Sequence, residues 1–152
     1  MKADLIVYLA LGSNLGDPKS QILSALDALG DHPQIELEAV SELISSPAEG
    51  LAEIDPPPFL NAIARLKTTL SPFDLLAFCQ SLERRAGRRR DPKVKLSREL
   101  DLDLIYHEGF SLNTPELTLP HPRLRERLFV TIPLKEVLLP EHFDLIDKEV
   151  FV

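Results

Sequence analysis

A continuous apolar run near the N-terminus constrains the fold of this chain more than any other feature. Every residue from Leu5 to Leu11 is apolar or aromatic, and Gly12 follows. Because neighbouring strand residues point to opposite faces, the run predicts a central strand that is buried on both faces and ends at Gly12. The run is also far too short to cross a membrane, and no small-residue cleavage site follows it, so we expect neither a targeting segment nor a membrane anchor.

Two helices begin at clear capping signals. Asp17 and Pro18 fit the N-cap and first position of a helix that is predicted to end at Gly30. The segment 71–74, Ser-Pro-Phe-Asp, is a capping box for a second helix that is predicted to end at Gly87. Apolar residues at helical spacing follow each signal, and they are Ile22, Leu23, Ala25, Leu26 and Leu29 in the first helix and Leu75, Leu76, Cys79 and Leu82 in the second.

Three more strands are indicated by alternating patterns. The first of these covers residues 35–39, and the pattern also allows it to extend towards Ser45. The second begins at Phe59. The third covers residues 100–106 and is followed by a turn at 108–109. The long proline-rich connection over residues 47–58 lacks periodicity, which is typical of a lid or binding loop.

The order strand, helix, strand, strand, helix, strand (βαββαβ) is that of an α+β, ferredoxin-like split βαβ core with both helices on one face of an antiparallel sheet. We expect residues 1–152 to form a single domain, in which long functional loops and a C-terminal hairpin and helical extension are added to this core. Leu60 and Leu102 then face the helices, so that Asn61, Asp101 and Asp103 lie on the opposite face.

Two carboxylates alternate with leucines in the last strand. Asp101 and Asp103 share one strand face at a spacing of roughly 7 Å, and a cation between them would relieve their repulsion. Mg²⁺ fits, since it takes one or two protein carboxylates and completes its coordination with water and phosphate oxygens. A half-exposed strand with solvated aspartates is the competing interpretation.

A basic segment precedes these aspartates. Residues 84–98 hold eight of the seventeen basic residues and one acid, so this segment carries +7 and leaves −14 on the rest of a chain whose net charge is −7. Such polarity attracts anions, and arginines beside paired aspartates suit a polyphosphate. A solvated charged loop is the alternative; a nucleic-acid surface is disfavoured by the overall acidity and by the scarcity of aromatic residues.

The composition bounds the remaining possibilities. A length of 152 residues with 44% hydrophobic content suits one domain with a core of its own. The single cysteine, Cys79, excludes an intrachain disulfide and lies on an apolar helix face, so we expect a core residue in a cytoplasmic protein.

The chain resembles a known family over nearly its whole length. The matching residues are Leu11–Gly16, Ser46–Pro47, Phe59–Ala62, Gly87–Arg88, Arg98 with Asp101–Ile105, and Pro120–Pro122 with Arg127 and Phe129. These residues resemble the hydroxymethyl-dihydropterin pyrophosphokinases of folate biosynthesis, which transfer diphosphate from ATP to a pterin alcohol. The Arg-x-x-Asp-x-Asp element combined with the downstream Pro-His is specific, whereas Gly-Ser-Asn-Leu-Gly alone also fits an ordinary strand-to-helix turn.

The resemblance implies an ATP-dependent enzyme that binds ATP and a pterin. We expect it to be a monomer and to bind neither nucleic acid nor a membrane. It implies two Mg²⁺ ions held by Asp101 and Asp103. The catalytic residues that it implies are Arg88, Arg98, Asp101, Asp103, His121 and Arg127. ATP would be bound by Gln80, Arg88, Arg90, Arg98, Leu104, Thr118, His121 and Arg127. The pterin would be bound by Ser46, Pro47, Phe59, Asn61, Asp101 and Phe129.

Alternatives stay open for several of these residues. Phe59 and Phe129 fit ordinary core positions, and His121 fits a surface turn. The other histidines, His32, His107 and His142, have no motif context and are expected at the surface, as are Arg123 and Arg125. A different Mg²⁺-dependent nucleotidyl transferase or phosphodiesterase, or a binding module without catalysis, would also use such a sheet.

The chain departs from the family pattern at a few positions. Lys95 and Leu96 stand in the basic segment where an aromatic and a small residue are common. Glu49 stands where an apolar residue commonly covers the pterin, and Glu116 where a basic residue often assists nucleotide binding. We expect these departures to affect affinity and rate more than the identity of the reaction.

Overall fold

The apolar run at the N-terminus forms strand β1 (Leu5–Ser13) in a computed structural model, which describes residues 4–47, 57–87, 100–124 and 126–145. The strand continues past its predicted end at Gly12, because Gly12 pairs with Asn61 on one side and with Asp101 on the other. Val7, Leu9 and Leu11 are buried on one face of the sheet, and Ile6 and Tyr8 on the other. The prediction of a central strand buried on both faces is therefore confirmed.

Both predicted helix starts are confirmed. Helix α1 (Pro18–Asp31) begins with Asp17, whose side chain accepts a hydrogen bond from the Ser20 amide at 3.2 Å. Helix α2 (Pro72–Arg85) begins with Ser71, whose hydroxyl oxygen accepts from the Asp74 amide at 3.2 Å. Gly87 ends this second helix with a φ of 88°, a left-handed conformation that suits glycine at this position.

The predicted second strand is divided in two. Strand β2 (Ile35–Val40) is separated by three residues from strand β3 (Ile44–Ser46), and both pair with strand β4 (Phe59–Thr68) in antiparallel fashion. Ser41, in the gap between β2 and β3, still bonds to β4: its backbone amide donates to the Ile63 carbonyl and its hydroxyl accepts from the Ile63 amide. The extension towards Ser45 therefore exists as a separate short strand.

Strand β5 (Asp101–His107) completes the sheet by antiparallel pairing with β1. The strand order β2-β4-β1-β5, with β3 also paired to β4, is the order of a ferredoxin-like sheet, so the predicted α+β class and topology are confirmed. A core forms between one face of the sheet and the two helices, and it includes Leu11, Leu29, Leu66, Leu75 and Leu102.

The other face of the sheet is partly covered by C-terminal elements. A hairpin of β6 (Leu112–Asn113) and β7 (Thr118–Leu119) follows β5, then helix α3 (Leu128–Val137) and a 3₁₀ helix at Pro140–Leu145. This is the predicted hairpin and helical extension. A second core lies between α3 and this face, and it includes Tyr8, Ile63, Ile105, Val130 and Leu134.

Two histidines expected at the surface are buried, so that prediction was wrong for them. His107 is fully buried, with its Nε2 3.0 Å from the Leu70 carbonyl oxygen. His142 is also buried; its Nδ1 lies 2.7 Å from the Tyr8 hydroxyl oxygen, and its Nε2 lies 3.3 Å from a Glu108 carboxylate oxygen. Each ring has at least one partner distant in sequence, and no local pattern indicates such a partner.

Cys79 is a core residue, as predicted. It is fully buried on the inner face of α2, and burial, reinforced by Glu83 and Asp103, raises the pKa of its thiol to about 12. In the part of the chain that the structure describes, no helix is both long enough and apolar enough to span a membrane.

Candidate active site

Three strands place the candidate residues side by side on the sheet face opposite α1 and α2. Asn61 on β4, Gly12 on β1 and Asp101 on β5 form one row across the sheet; Ile63, Ala10 and Asp103 form the next. Adjacent strands lie about 4.8 Å apart, so Asn61 and Asp101 flank Gly12 at a separation of about 10 Å. A cavity of about 640 Å³ opens over these rows, and it is lined by Gly12, Asn61, Asp101, Asp103, His121 and Phe129, among others.

Gly12 leaves the floor of this cavity open. A Cβ atom at this position would lie 3.3 Å from Asn61 Oδ1 and 3.7 Å from Phe59 Cδ1. The missing side chain therefore lets the Asn61 amide and the Phe59 ring lean over the middle strand.

The Asn61 side chain is held in a defined orientation. Its amide nitrogen donates to the Ser46 hydroxyl oxygen at 2.8 Å and to the Ile44 carbonyl oxygen at 3.2 Å. Of the atoms around Gly12, the Asn61 amide oxygen is the nearest to the position that a Cβ would occupy. Asn61 is thus oriented to present a hydrogen-bond acceptor to a molecule in the cavity.

Aromatic and small residues form the walls. Phe59 and Phe129 both line the cavity and are partly exposed, and Ser46 and Pro47 lie at its edge. The guanidinium carbon of Arg127 lies 5.5 Å from the centre of the Phe129 ring, within the range of a cation–π contact. The structure therefore brings the described candidates for the pterin site together around one cavity of ring-binding size.

Asp101 and Asp103 fit a magnesium site that substrate completes. The two carboxylate residues are partly exposed, lie on one face of β5 and line the same cavity. Among the residues described, no group of three or more histidine, cysteine or acidic side chains could hold a metal ion by itself. A pair of carboxylates with room for water and phosphate oxygens is the donor set that Mg²⁺ accepts.

His121 stands between the two halves of the site. Its backbone amide donates to the Ile105 carbonyl at 2.8 Å, which ties it to β5, and its Nδ1 accepts from the Arg123 amide at 3.2 Å. The neutral ring therefore carries its proton on Nε2. Burial, followed by Arg127 and Arg123, lowers the pKa of His121, while Asp101 opposes the shift.

A second, smaller cavity adjoins the first at Asp103 and His121. It has a volume of about 220 Å³, and Leu104 and Thr118, two of the predicted ATP-binding residues, line it. Glu116, one of the departures from the family pattern, also lines it. Gln80 does not line the smaller cavity. Leu76, one helical turn earlier on α2, does line it.

Several predicted site residues lie outside the described part of the chain. These are Arg88, Arg90 and Arg98. The departures from the family pattern at Glu49, Lys95 and Leu96 also lie outside it, as does Arg125, which was expected at the surface.

Sequence reasoning missed some residues around the cavity. Arg123 is exposed and forms an ion pair with Glu126 at 3.5 Å, as expected of a solvated charge, yet both residues line the cavity. Leu128 lines it too and is 71% exposed, a large apolar side chain that no pattern around the Pro-His motif indicated. Their positions result from the path of the chain between β7 and α3.

Two adjoining cavities that share Asp103 and His121, on a ferredoxin-like sheet, give a site with room for two molecules side by side. Residues 8–139 match the family of 7,8-dihydro-6-hydroxymethylpterin-pyrophosphokinase (HPPK), and the chain belongs to this family.

Curated relatives agree with the family match. The 2-amino-4-hydroxy-6-hydroxymethyldihydropteridine pyrophosphokinase of Pseudomonas aeruginosa is 44% identical over 132 residues, which cover 86% of this chain and 79% of the relative. The Bacillus subtilis protein of the same name is 37% identical over 132 residues, covering 87% and 77%. The folic acid synthesis protein FOL1 of Dictyostelium discoideum is 37% identical over 136 residues, which are 87% of this chain but 19% of that protein.

Proposed function

We propose that this protein transfers diphosphate from ATP to the hydroxymethyl group of 6-hydroxymethyl-7,8-dihydropterin and releases AMP, a step in the biosynthesis of tetrahydrofolate. Family membership supports the reaction. The observation that carries the assignment of residues is the meeting of two cavities at Asp103 and His121. Family membership disfavours the competing interpretations, which are a nucleotidyl transferase, a phosphodiesterase and a non-catalytic module.

The larger cavity is the proposed pterin site. The Asn61 amide oxygen would accept from a donor on the pterin edge, while Phe59 and Phe129 lie against the flat ring. Ser46 supports Asn61 through their 2.8 Å hydrogen bond, and Pro47 lies at the rim beside it. Asp101 is in the same row as Asn61, so it would reach the hydroxymethyl end of the pterin as well as the metal.

The smaller cavity is the proposed site for the adenosine part of ATP. Leu104 and Thr118 line it, and we assign Gln80 to the same substrate. Arg127 and His121 would contact phosphates at the junction of the cavities, and His121 would do so as an Nε2–H donor. We assign Arg88, Arg90 and Arg98 of the basic segment to the phosphates on charge alone.

We propose that Asp101 and Asp103 hold two Mg²⁺ ions together with the ATP phosphates. When bound, these ions would neutralise charge on the transferred diphosphate and on the AMP leaving group. The pterin oxygen forms a bond to the β-phosphorus, the bond from this phosphorus to the AMP oxygen breaks, and the hydroxyl proton is released. The protein contributes mainly position and charge, as is general for phosphoryl transfer.

We further propose that residues 1–152 act as one domain, as a monomer in the cytoplasm, without a nucleic-acid partner. The single cysteine supports a reducing compartment, and the acidic charge balance disfavours a nucleic-acid partner.

The metal role is tested by titrating the protein with α,β-methylene-ATP in the presence and absence of Mg²⁺. Asp103→Ala should abolish the Mg²⁺ dependence of nucleotide binding and leave pterin binding intact, because Asp103 lies in the row beside Ile63 and not in the row of Asn61. Asp31→Ala, at the exposed end of α1, is the matched control and should behave as the wild type. An undiminished Mg²⁺ dependence in Asp103→Ala would refute the assignment.

A further inference from the structure

Helix α2 turns an acidic side chain towards the interior. Glu83 lies one helical turn after Cys79 on the buried face of α2 and is only 2% exposed. Burying a carboxylate is costly unless hydrogen bonds compensate for the lost water. The position is unfavourable in a second respect, because the last turn of a helix is its electronegative end. A glutamate at this position therefore does not stabilise helix α2 through the helix dipole or through solvation of its charge.

The Glu83 carboxylate is bonded to the strand that carries the two aspartates. Its Oε2 accepts a hydrogen bond from the Leu102 backbone amide at 2.9 Å, in a buried environment. β5 is the end strand of the described sheet, so every second amide of β5 points away from β1. Glu83 supplies an acceptor for the one amide of this kind that lies between Asp101 and Asp103.

The Glu83–Leu102 hydrogen bond lies on the helix side of β5, whereas the two aspartates face the cavity on the other side. The Leu102 side chain belongs to the helix-face core, whereas Asp101 and Asp103 project to the cavity. Fixing the backbone at Leu102 fixes the direction in which both neighbouring side chains leave the strand.

We propose that Glu83 is a positioning residue for cation binding: by holding the Leu102 amide, it keeps the Asp101 and Asp103 carboxylates aligned for the ions that accompany ATP. It touches neither substrate nor ion in this role. The proposal rests on the proposed function of the two aspartates, and it adds a residue from helix α2 to the site.

Two substitutions at Glu83 separate the hydrogen bond from the rest of the side chain. Glu83→Gln keeps an oxygen that can accept from Leu102, whereas Glu83→Ala removes it. Loss of groups that orient metal ligands commonly weakens metal binding, so Glu83→Ala should reduce the affinity for Mg²⁺, measured with α,β-methylene-ATP present, by roughly 10-fold or more. Glu83→Gln should remain within about 2-fold of the wild type by the same reasoning, and pterin affinity should be unchanged in both variants.

Cys79→Ala is the matched control for damage to the helix. Cys79 is buried on the same face of α2, one turn earlier, so its truncation should lower the melting temperature without changing Mg²⁺ affinity. Hydrogen exchange of the Leu102 amide gives a readout that needs no metal. The amide should be protected in the wild type, Glu83→Gln and Cys79→Ala, and should exchange faster in Glu83→Ala.

Three results would overturn the proposal: unchanged Mg²⁺ affinity in Glu83→Ala, an equal loss in Glu83→Gln, or a loss in Cys79→Ala that matches that in Glu83→Ala. Failure of the underlying function is distinguishable, because Asp103→Ala would then also leave the Mg²⁺ dependence intact. If Asp103→Ala abolishes that dependence while Glu83→Ala does not change it, the role of Glu83 alone is refuted.

Discussion

Replacement of Gly12 by alanine tests the geometry of the proposed pterin site most sharply. The added Cβ would lie 3.3 Å from Asn61 Oδ1, so one of the two must move by a few tenths of an ångström. Asn61 cannot retreat freely, because its amide nitrogen is held at 2.8 Å by Ser46 and at 3.2 Å by Ile44. The longer bond, to Ile44, is the one that displacement would break first.

The size of the effect follows from that bond. A net hydrogen bond contributes about 0.5–1.5 kcal/mol, so misplacing the Asn61 amide should weaken pterin binding by about 2- to 12-fold. ATP affinity should not change, because Gly12 does not line the smaller cavity. Gly30→Ala is the control: apart from its chain neighbours and the backbone of its own helix, no atom lies within 4 Å of its Cβ position, and alanine in the helix should stabilise the protein by about 0.5–1 kcal/mol.

Both affinities can be measured by isothermal titration of the purified variants, with thermal unfolding to exclude a general loss of structure. Equal pterin affinity in Gly12→Ala and the wild type would show that the Asn61 amide does not define the pterin site. A parallel loss of ATP and pterin affinity would show that the effect is not local to the row of Asn61.

Three further predictions follow from individual side chains. Asn61→Leu removes the acceptor itself, so pterin binding measured by titration should weaken by about 1–3 kcal/mol; unchanged affinity would contradict the role of Asn61. The pKa of His121 is lowered below its ordinary value of 6.5, so the protein should lose stability as the pH falls from 6.5 through the folded-state pKa. Mg²⁺-ATP should raise the pKa of His121 in an NMR titration, because a phosphate group favours the imidazolium form. A pKa insensitive to the nucleotide would argue against phosphate contact. With a pKa of about 12, Cys79 should resist iodoacetamide in the native protein at pH 8 and react only on unfolding, which mass spectrometry would detect; rapid native alkylation would contradict its burial.

Local signals were sufficient to predict most of the sheet and both capped helices. Asp17 and Ser71 cap their helices through contacts three residues away, so their roles can be inferred from short segments. The alternation of Asp101, Leu102 and Asp103 likewise determines which side chains share a face. Once the strand order follows the ferredoxin-like pattern, Asn61 and the two aspartates must lie on the same side of the sheet.

Helix α3 and the buried polar residues could not be predicted in the same way. Pro133 lies inside α3, and the branched residues Val130, Thr131 and Ile132 favour strands, so packing against the sheet decides this helix. His142 and Glu83 are buried because their partners, Tyr8 and the Leu102 amide, come from distant segments. The sequence contains one indication of such a buried polar residue: Glu83 is an acid on the apolar face of a predicted helix.

The proposed reaction breaks the bond between the α- and β-phosphates of ATP, so the nucleotide product identifies the reaction. The purified protein is incubated with 6-hydroxymethyl-7,8-dihydropterin, ATP and Mg²⁺, and the nucleotide products are separated by ion-exchange chromatography. Diphosphate transfer should give one AMP and one diphosphorylated pterin for each ATP consumed, with no product when the pterin is omitted. Stoichiometric ADP, or hydrolysis of ATP that does not depend on the pterin, would contradict it.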